Sequence, residues 1–487
     1  MVERKVIAGV LVGAALLGGC TLTPAYTRPE APVSARYPVE AEDAEGEVSA
    51  ADLGWRDVFE DERLQALVAM ALEHNRDLRV ASLNVERVPA QDRVRRAPLF
   101  PGVGASASST FQQLPSSLPS SQFVPREQYS VNLGVTAWEL DLFGRLRSLS
   151  EQALQTYFAT AEARRGVHLA VVSQVAIAHF DERASEEQLT LARQTLETVE
   201  SSYALTRRAF ELGTANELDL RTAQTQVETA RYNFAFYEEQ RAQAVNALVY
   251  LIGRPLPEDL PEPQPLRDTM VRAELPAGIP SDLLQRRPDI LAAEHQLMAA
   301  NASIGAARAA FFPSISLTGQ GGLASTALAG LFSGGAFTWS FIPRLNLPIF
   351  QGGALRASLD VAEISKQIEV ASYERSIQAA FREVADALVT REAIEKRLAA
   401  QRARVEAEER RYQLAEQRYR AGIDRYVTLL TAQRDLYNAQ QQLIDAQFSK
   451  LANVAALYRA LGGGWNENTP EETAGVERQV RGEARDG

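Results

Sequence analysis

From Leu429 onward, apolar residues come in adjacent pairs seven positions apart: Leu429/Leu430, Leu436/Tyr437, Leu443/Ile444, then Leu451 and Leu457/Tyr458. A strict seven-residue repeat drives an α-helix into a left-handed supercoil. The paired positions widen the apolar seam, so the helix can touch neighbours on two sides. Leu220, Val227, Phe234 and Leu248 repeat the phase more weakly, with Arg241 interrupting it. A different period rules further back, where Phe337, Trp339, Phe341, Pro343, Leu345, Leu347 and Ile349 alternate with Thr338, Ser340, Ile342, Arg344, Asn346 and Pro348. That is the alternation of a strand with one apolar and one polar face. Residues 315–320 supply a partner strand. Tyr129, Val131, Leu133 and Val135 alternate in the same way with Ser130, Asn132, Gly134 and Thr136, after a polar stretch at residues 106–112. Two intervals rich in small and turn-forming residues, 114–128 and 323–336, are predicted hairpin tips.

The two regions are copies of one another. At an offset of 212, Asp77, Leu78, Ala81, Arg96, Phe100 and Pro101 fall on Asp289, Ile290, Ala293, Arg308, Phe312 and Pro313. At an offset of 209, Arg147, Tyr203, Gly213, Leu220, Thr222, Ala223, Gln224 and Gly253 fall on Arg356, Tyr412, Gly422, Leu429, Thr431, Ala432, Gln433 and Gly462. The offset holds through the long helical stretches and changes only in the strand region, so helix length is kept while loops drift. Each copy reads helix, strand, strand, long helix, Gly turn, long helix.

The stretches from about Arg147 to Glu211 and from about Arg356 to Arg420 are each on the order of 100 Å long if unbroken, at ~1.5 Å per residue. Gly213 and Gly422 then sit where a helix end adopts the left-handed conformation. Thr214 with Glu217 is expected to form a capping box, and Asp424 to cap the second following helix. Each copy is thus a helical hairpin with a tight tip, and tips at the end of a long rod are where a partner docks and a pore closes.

Four strands in one chain leave two open edges, which lipid does not tolerate. The chain is therefore expected to oligomerise into a closed barrel. Two copies give eight strands, whose interior side chains fill; three give twelve, and a larger barrel leaves a channel. A soluble hairpin covered by helices is the competing arrangement.

Composition sharpens this picture. The 487 residues are 46% hydrophobic but only 7% aromatic, as in long packed helices, and the net charge of −11 with no basic stripe argues against nucleic acid as a partner. Residues 1–19 begin with Glu3-Arg4-Lys5, continue in an apolar run from Val6 to Leu17 and end in small residues, the pattern of a signal peptide. Leu17-Gly18-Gly19-Cys20 resembles a bacterial lipobox, and Cys20 is the chain's single cysteine. Cleavage before Cys20 with covalent lipid on it is expected, and Thr21 rather than Asp behind it points to the outer membrane. With no other cysteine there is no disulfide framework. The expected segments are 20–70 as a lipidated N-terminal region, 71–253 and 282–462 as the two repeats, 254–281 as the linker between them, and 463–487 as a polar tail.

Several motifs in order resemble the outer-membrane factors of the TolC and OprM type, in particular the NodT-type lipoprotein branch serving multidrug efflux. They are Leu140-Asp141-Leu142-Phe143-Gly144-Arg145, Arg286-Arg287-Pro288-Asp289-Ile290, Ala310-Phe311-Phe312-Pro313, Arg418-Tyr419-Arg420-Ala421-Gly422, Thr428-Leu429-Leu430-Thr431-Ala432-Gln433-Arg434 and Leu461-Gly462-Gly463-Gly464-Trp465. The resemblance covers almost the whole chain after Cys20. It implies a mainly α fold with membrane β: a homotrimer with a twelve-stranded outer-membrane β-barrel, four strands per chain, continuous with a long periplasmic α-helical barrel and an equatorial belt. It also implies a periplasmic membrane-fusion adaptor docking near Gly213, Thr214, Gly422 and Ile423, an inner-membrane transporter of the RND type, and a closed end held by Tyr419, Arg420, Asp424 and Arg434 with Val427 as a hydrophobic ring. Relatives of this branch often carry Asp where this chain has Thr431, so an Arg-to-Asp latch there is in doubt, with Asp435 or Asp219 as substitutes.

No nucleophile motif or phosphate loop accompanies the four histidines, His74, His168, His179 and His295. His168 and His179 lie ~16 Å apart on one helix, too far for a shared metal. Catalysis, a metal or any cofactor beyond the lipid on Cys20 is not expected. An outer-membrane exit duct for drugs or other small molecules is the reading the residues favour. A duct for type I protein secretion, or a periplasmic coiled-coil lipoprotein without a pore, remains as an alternative.

Overall fold

The computed structural model describes residues 21–34, 36–37, 50–113, 126–272, 275, 283–284 and 286–469. The signal peptide, Cys20, most of the first expected hairpin tip and most of the tail lie outside these residues.

In chain order the helices and strands are α1 (Trp55–Val58), α2 (Glu62–His74), α3 (Arg76–Arg96), β1 (Val103–Phe111), β2 (Glu127–Leu140), α4 (Arg145–Glu211), α5 (Glu217–Ile252), α6 (Pro288–Ala309), β3 (Ser314–Ser325), β4 (Phe337–Asn346), α7 (Ala354–Arg420) and α8 (Tyr426–Ala460). The order helix, strand, strand, long helix, long helix occurs twice, and α4 and α7 are both 67 residues long. None of the described helices is long and apolar enough to cross a membrane.

Two compact units cut across the copies. The first holds residues 1–30, 83–161 and 292–375, and the second holds 31–82, 162–291 and 376–487. Strands of both copies lie in the first unit, and the helical tips of both lie in the second.

In the first unit the strands form one antiparallel sheet in the order β1-β2-β3-β4. The copies are joined at β2 and β3, and β1 and β4 are left as edges. Register sorts the side chains, since Val103 pairs with Val135, Leu133 with Gly321, Gly321 with Trp339, and Gly319 with Phe341. One face therefore carries the apolar set, while Ser108, Ser130, Asn132, Gly322 and Thr338 share the other. The apolar face is bare: Trp339 is 72% exposed, Phe337 70% and Leu133 60%. Glycines permit the close strand approach, since a Cβ on Gly322 would fall 2.1 Å from the carbonyl oxygen of Val131. A bulge between Val135 and Trp138 shifts the register of β2 against β3. It places Ala137 at φ +51°, with its N–H donating to Thr318 Oγ1 at 3.0 Å.

Two strand limits differ from expectation. β3 runs on to Ser325, with Leu323 paired to Phe337, so the second tip begins later than residue 323. β4 stops at Asn346, short of Ile349. Pro348 has no N–H for a ladder and biases the residue before it.

The N-terminal segment also docks within the first unit. Glu294 of α6, only 4% exposed at its side chain, accepts two hydrogen bonds from Arg28 at 2.7 and 2.8 Å and one from Tyr26 at 3.0 Å. Asn301 Nδ2 donates to the carbonyl of Pro24 at 2.8 Å, and a Cβ on Gly305 would strike Thr23.

The second unit has its core around Trp55, Phe59, Phe180, Leu248 and Tyr458, all essentially inaccessible, with Phe59 and Tyr458 edge to face at 5.9 Å. Asp61 caps α2 by accepting from the Leu64 N–H at 2.6 Å, and Asn75 caps α3 through Leu78 at 2.9 Å. Gly253, at φ +83°, ends α5 against α2, where a Cβ would meet the His74 carbonyl oxygen at 2.5 Å. Arg287 is 6% exposed, and its charge is met by Asp289 at 2.6 Å, Glu383 at 3.0 Å and the Ala460 carbonyl at 2.9 Å.

Candidate functional site

The two hairpin tips lie in the second unit. In the first tip, Gly213 takes φ +75°, its N–H donates to the Phe210 carbonyl at 2.9 Å, and the Thr214 N–H donates to Ala209 at 2.9 Å. In the second, Gly422 takes φ +70°, and the N–H groups of Gly422 and Ile423 donate to Tyr419 and Arg418, both at 2.9 Å. Both turns satisfy the last carbonyls of the incoming helix, as the glycine pattern predicts.

The expected caps are corrected. Asn216, not Thr214, caps α5, accepting from the Asp219 N–H at 2.8 Å, while the Thr214 hydroxyl donates back to the Ala209 carbonyl at 2.9 Å. One residue beyond Thr214 the chain is still closing the turn, so its hydroxyl meets the end of the incoming helix α4 first. Asp424 caps nothing, because Arg425 occupies the N-cap of α8 and offers no side-chain acceptor. Instead Asp424 accepts from Arg418 Nε at 2.7 Å and Nη2 at 3.0 Å. The Arg418 hydrogen bonds hold the Asp424 carboxyl below the usual carboxylate range.

The remaining gate candidates separate into groups. Tyr419 packs against Ala415, Leu429 and Ala432, its ring 5.6 Å from that of Tyr426. Arg420 pairs with Glu416 of its own helix at 2.7 Å. Asp435 accepts from Arg411 at 3.0 Å and from Arg434 at 3.3 Å, and these bonds outweigh its burial and keep it ionised to lower pH than an ordinary carboxylate. Asp435 is thus already engaged with cations of its own chain. Thr431 donates to the Val427 carbonyl at 2.8 Å, so it offers no carboxylate to an arginine. Burial, then Tyr419, then Asp219 push the Tyr426 phenol up to about 12.

Apolar side chains stand exposed at both tips: Leu212 and Leu218 in the first, Ile423 and Val427 in the second. Leu218 is the counterpart of Val427 at the 209 offset, a signal already present in the repeat. Arg418, which holds Asp424, also escapes sequence reasoning because its partner is set by the path of the turn, whereas the Glu416–Arg420 pair follows from four-residue spacing on one helix.

The histidines are packed into other contacts. His168 lies 5.0 Å from the Trp465 ring, and burial brings its pKa down to about 4. His179 is buried beside Asp61 at 3.3 Å, and His295 meets Gln155 at 2.7 Å. Among the described residues no three His, Cys, Asp or Glu side chains converge as a metal site.

A duplicated helical chain bearing a small sheet with a bare apolar face has the features of an outer-membrane channel subunit. Residues 67–254 and 279–463 match the family model described as outer membrane efflux protein, once for each copy. The chain is 50% identical over 469 residues to the probable efflux pump outer membrane protein TtgC of Pseudomonas putida, covering 96% of this chain and 97% of that one. It is 42% identical over 468 residues to the outer membrane protein OprJ of Pseudomonas aeruginosa, covering 95% and 97%. Among solved structures it matches the open state of the MtrE outer membrane channel of Neisseria gonorrhoeae with a TM-score of 0.84 at 42% identity, covering 93% of this chain and all of that one. The chain belongs to the outer membrane efflux protein family. Its role is transport, its place is the outer membrane, and the pore-free coiled-coil alternative is set aside.

Proposed function

We propose that three copies of this chain close their sheets into one twelve-stranded barrel and their helical hairpins into a tube, forming the passive exit duct of a tripartite efflux pump. The sheet's bare apolar face with two unpaired edges carries this reading, because lipid can cover the face only if the edges find partners. Each edge then pairs with an edge of another copy, β4 against β1.

An inner-membrane transporter of the RND type supplies the energy, and a periplasmic adaptor docks at Gly213, Thr214, Gly422 and Ile423, where the exposed Leu212, Leu218, Ile423 and Val427 offer it apolar contact. Tyr419, Arg420, Asp424, Val427, Arg434, Asp435 and Asp219 form the closed end, and docking biases it open. Cys20 carries the lipid anchor. Relatives named for toluene and antibiotic efflux support small organic molecules as cargo.

Native mass spectrometry and planar-bilayer recording of the detergent-purified protein test the proposal together. A trimer mass with discrete channels is the expected result; a stable monomer, or no conductance under any condition, overturns it.

A further inference from the structure

Apart from Ala324 and Ile342, the polar face of the sheet is built of hydroxyls, amides and glycines, and two charges interrupt it at a single level. Ser316 pairs with Glu139 on one side and with Arg344 on the other, so all three lie in one row across β2, β3 and β4. The row sits near the strand ends that lead into α4 and α7. Glu139 is consumed locally, accepting from Arg145 Nε at 2.9 Å and Nη2 at 2.6 Å. The next carboxylate along the chain, Asp141, is held by Arg147 at 3.1 Å. Arg344 is exposed and has no acidic partner among the described residues.

Barrel closure does not supply one. The strand that meets β4 is β1 of another copy, and its polar face presents Gly104, Ser106, Ser108 and Thr110, with no charge.

We infer that Arg344 contributes an uncompensated guanidinium ring, one per copy, on the wall of the barrel lumen, and that this ring favours solutes bearing carboxylate, sulfonate or phosphate groups at that level. The inference rests on the barrel reading above. A guanidinium stays charged at every working pH and matches planar oxyanions with two parallel donors. Rings of charged side chains set ion preference in pores. With a Debye length of about 8 Å at physiological salt, the effect is local to the ring and does not steer solutes from a distance.

The test reads local potential by thiol chemistry. Ser316→Cys places a thiol across from Arg344, and its modification is timed with an anionic and a cationic methanethiosulfonate in proteoliposomes, with the parent chain, which lacks this thiol, giving the background. At low salt the ratio of anionic to cationic rate is expected to fall roughly tenfold when Arg344→Gln is added, from a unit charge about 6 Å away acting oppositely on the two reagents. Arg344→Lys should keep the ratio. Without any change at 344, raising salt to about 0.5 M should shrink the ratio by shortening the screening length. A ratio indifferent to both Arg344→Gln and salt overturns the inference while leaving the barrel intact. A thiol that neither reagent reaches shows that the polar face does not line water, and overturns the barrel reading with it.

Discussion

Arg418 grips Asp424 with two hydrogen bonds, 2.7 and 3.0 Å long, across the six positions that turn α7 into α8. The pair braces the second tip, and the first has no equivalent, because offset 209 puts Ala209 and Ala215 at these positions. Under the proposed duct, this difference between the two tips makes the second tip the candidate gate.

Asp424 has its carboxyl depressed by Arg418, so the brace is complete above the ordinary carboxylate pKa and is lost as pH falls through the lowered value. Leak conductance of the closed channel is therefore expected to stay flat from pH 8 to about 5 and to rise only below about pH 4. Asp424→Asn should leak at neutral pH and flatten the profile. A rise centred near pH 6.5 would assign the gate to histidine instead.

Arg420 is paired with Glu416 one turn back on its own helix. If it also latches a neighbouring copy, Arg420→Ala raises leak conductance several-fold, whereas Glu416→Ala, which removes only the helical pair, leaves it near the parent value. Equal conductance in the two variants and the parent would remove Arg420 from the gate.

His168 rests on Trp465 with its pKa lowered to about 4 by burial, so the unfolded chain takes up a proton that the folded chain refuses. Stability contributed by neutral His168 is present above about pH 6.5 and is lost progressively down to about pH 4, on the order of 2–3 kcal/mol in all. Thermal melting between pH 7 and 4 should show this loss, and His168→Gln should make the curve shallower over that window.

Glu294 is the buried acceptor for Arg28 and Tyr26, and its removal leaves two donors without a partner. Glu294→Ala is expected to cost about 2 kcal/mol of N-terminal docking. Limited proteolysis should then cut within residues 21–30 under conditions where the parent chain is protected there.

The long helices and tip glycines were legible because each depends on local rules. The 209 offset, the seven-residue spacing of α8 and the positive φ of Gly213 and Gly422 are properties of a few neighbouring residues. The first three apolar pairs of α8 also divided as a two-sided seam implies: Leu429, Tyr437 and Ile444 are buried within the chain, while Leu430, Leu436 and Leu443 are half-buried; the last pair, Leu457 and Tyr458, is buried on both sides. The caps were less legible. Thr214 and Asp424 have suitable side chains, yet which residue takes the cap depends on where the turn releases the chain, and a shift of two residues hands the position to Asn216 and a shift of one hands it to Arg425.

The sequence by itself determined the duplication, the alternation of residues 129–136 and 337–346 and the position of each helical tip, because periodicity and glycine conformation act over a handful of bonds. Only the tertiary structure decided that β2 joins β3, that Asp424 belongs to Arg418 and Asp435 to Arg411, and that Glu139 is neutralised while Arg344 in the same row is not. Those pairings depend on which strands and helices come side by side, and a charge declares its partner only once its neighbours in space are known.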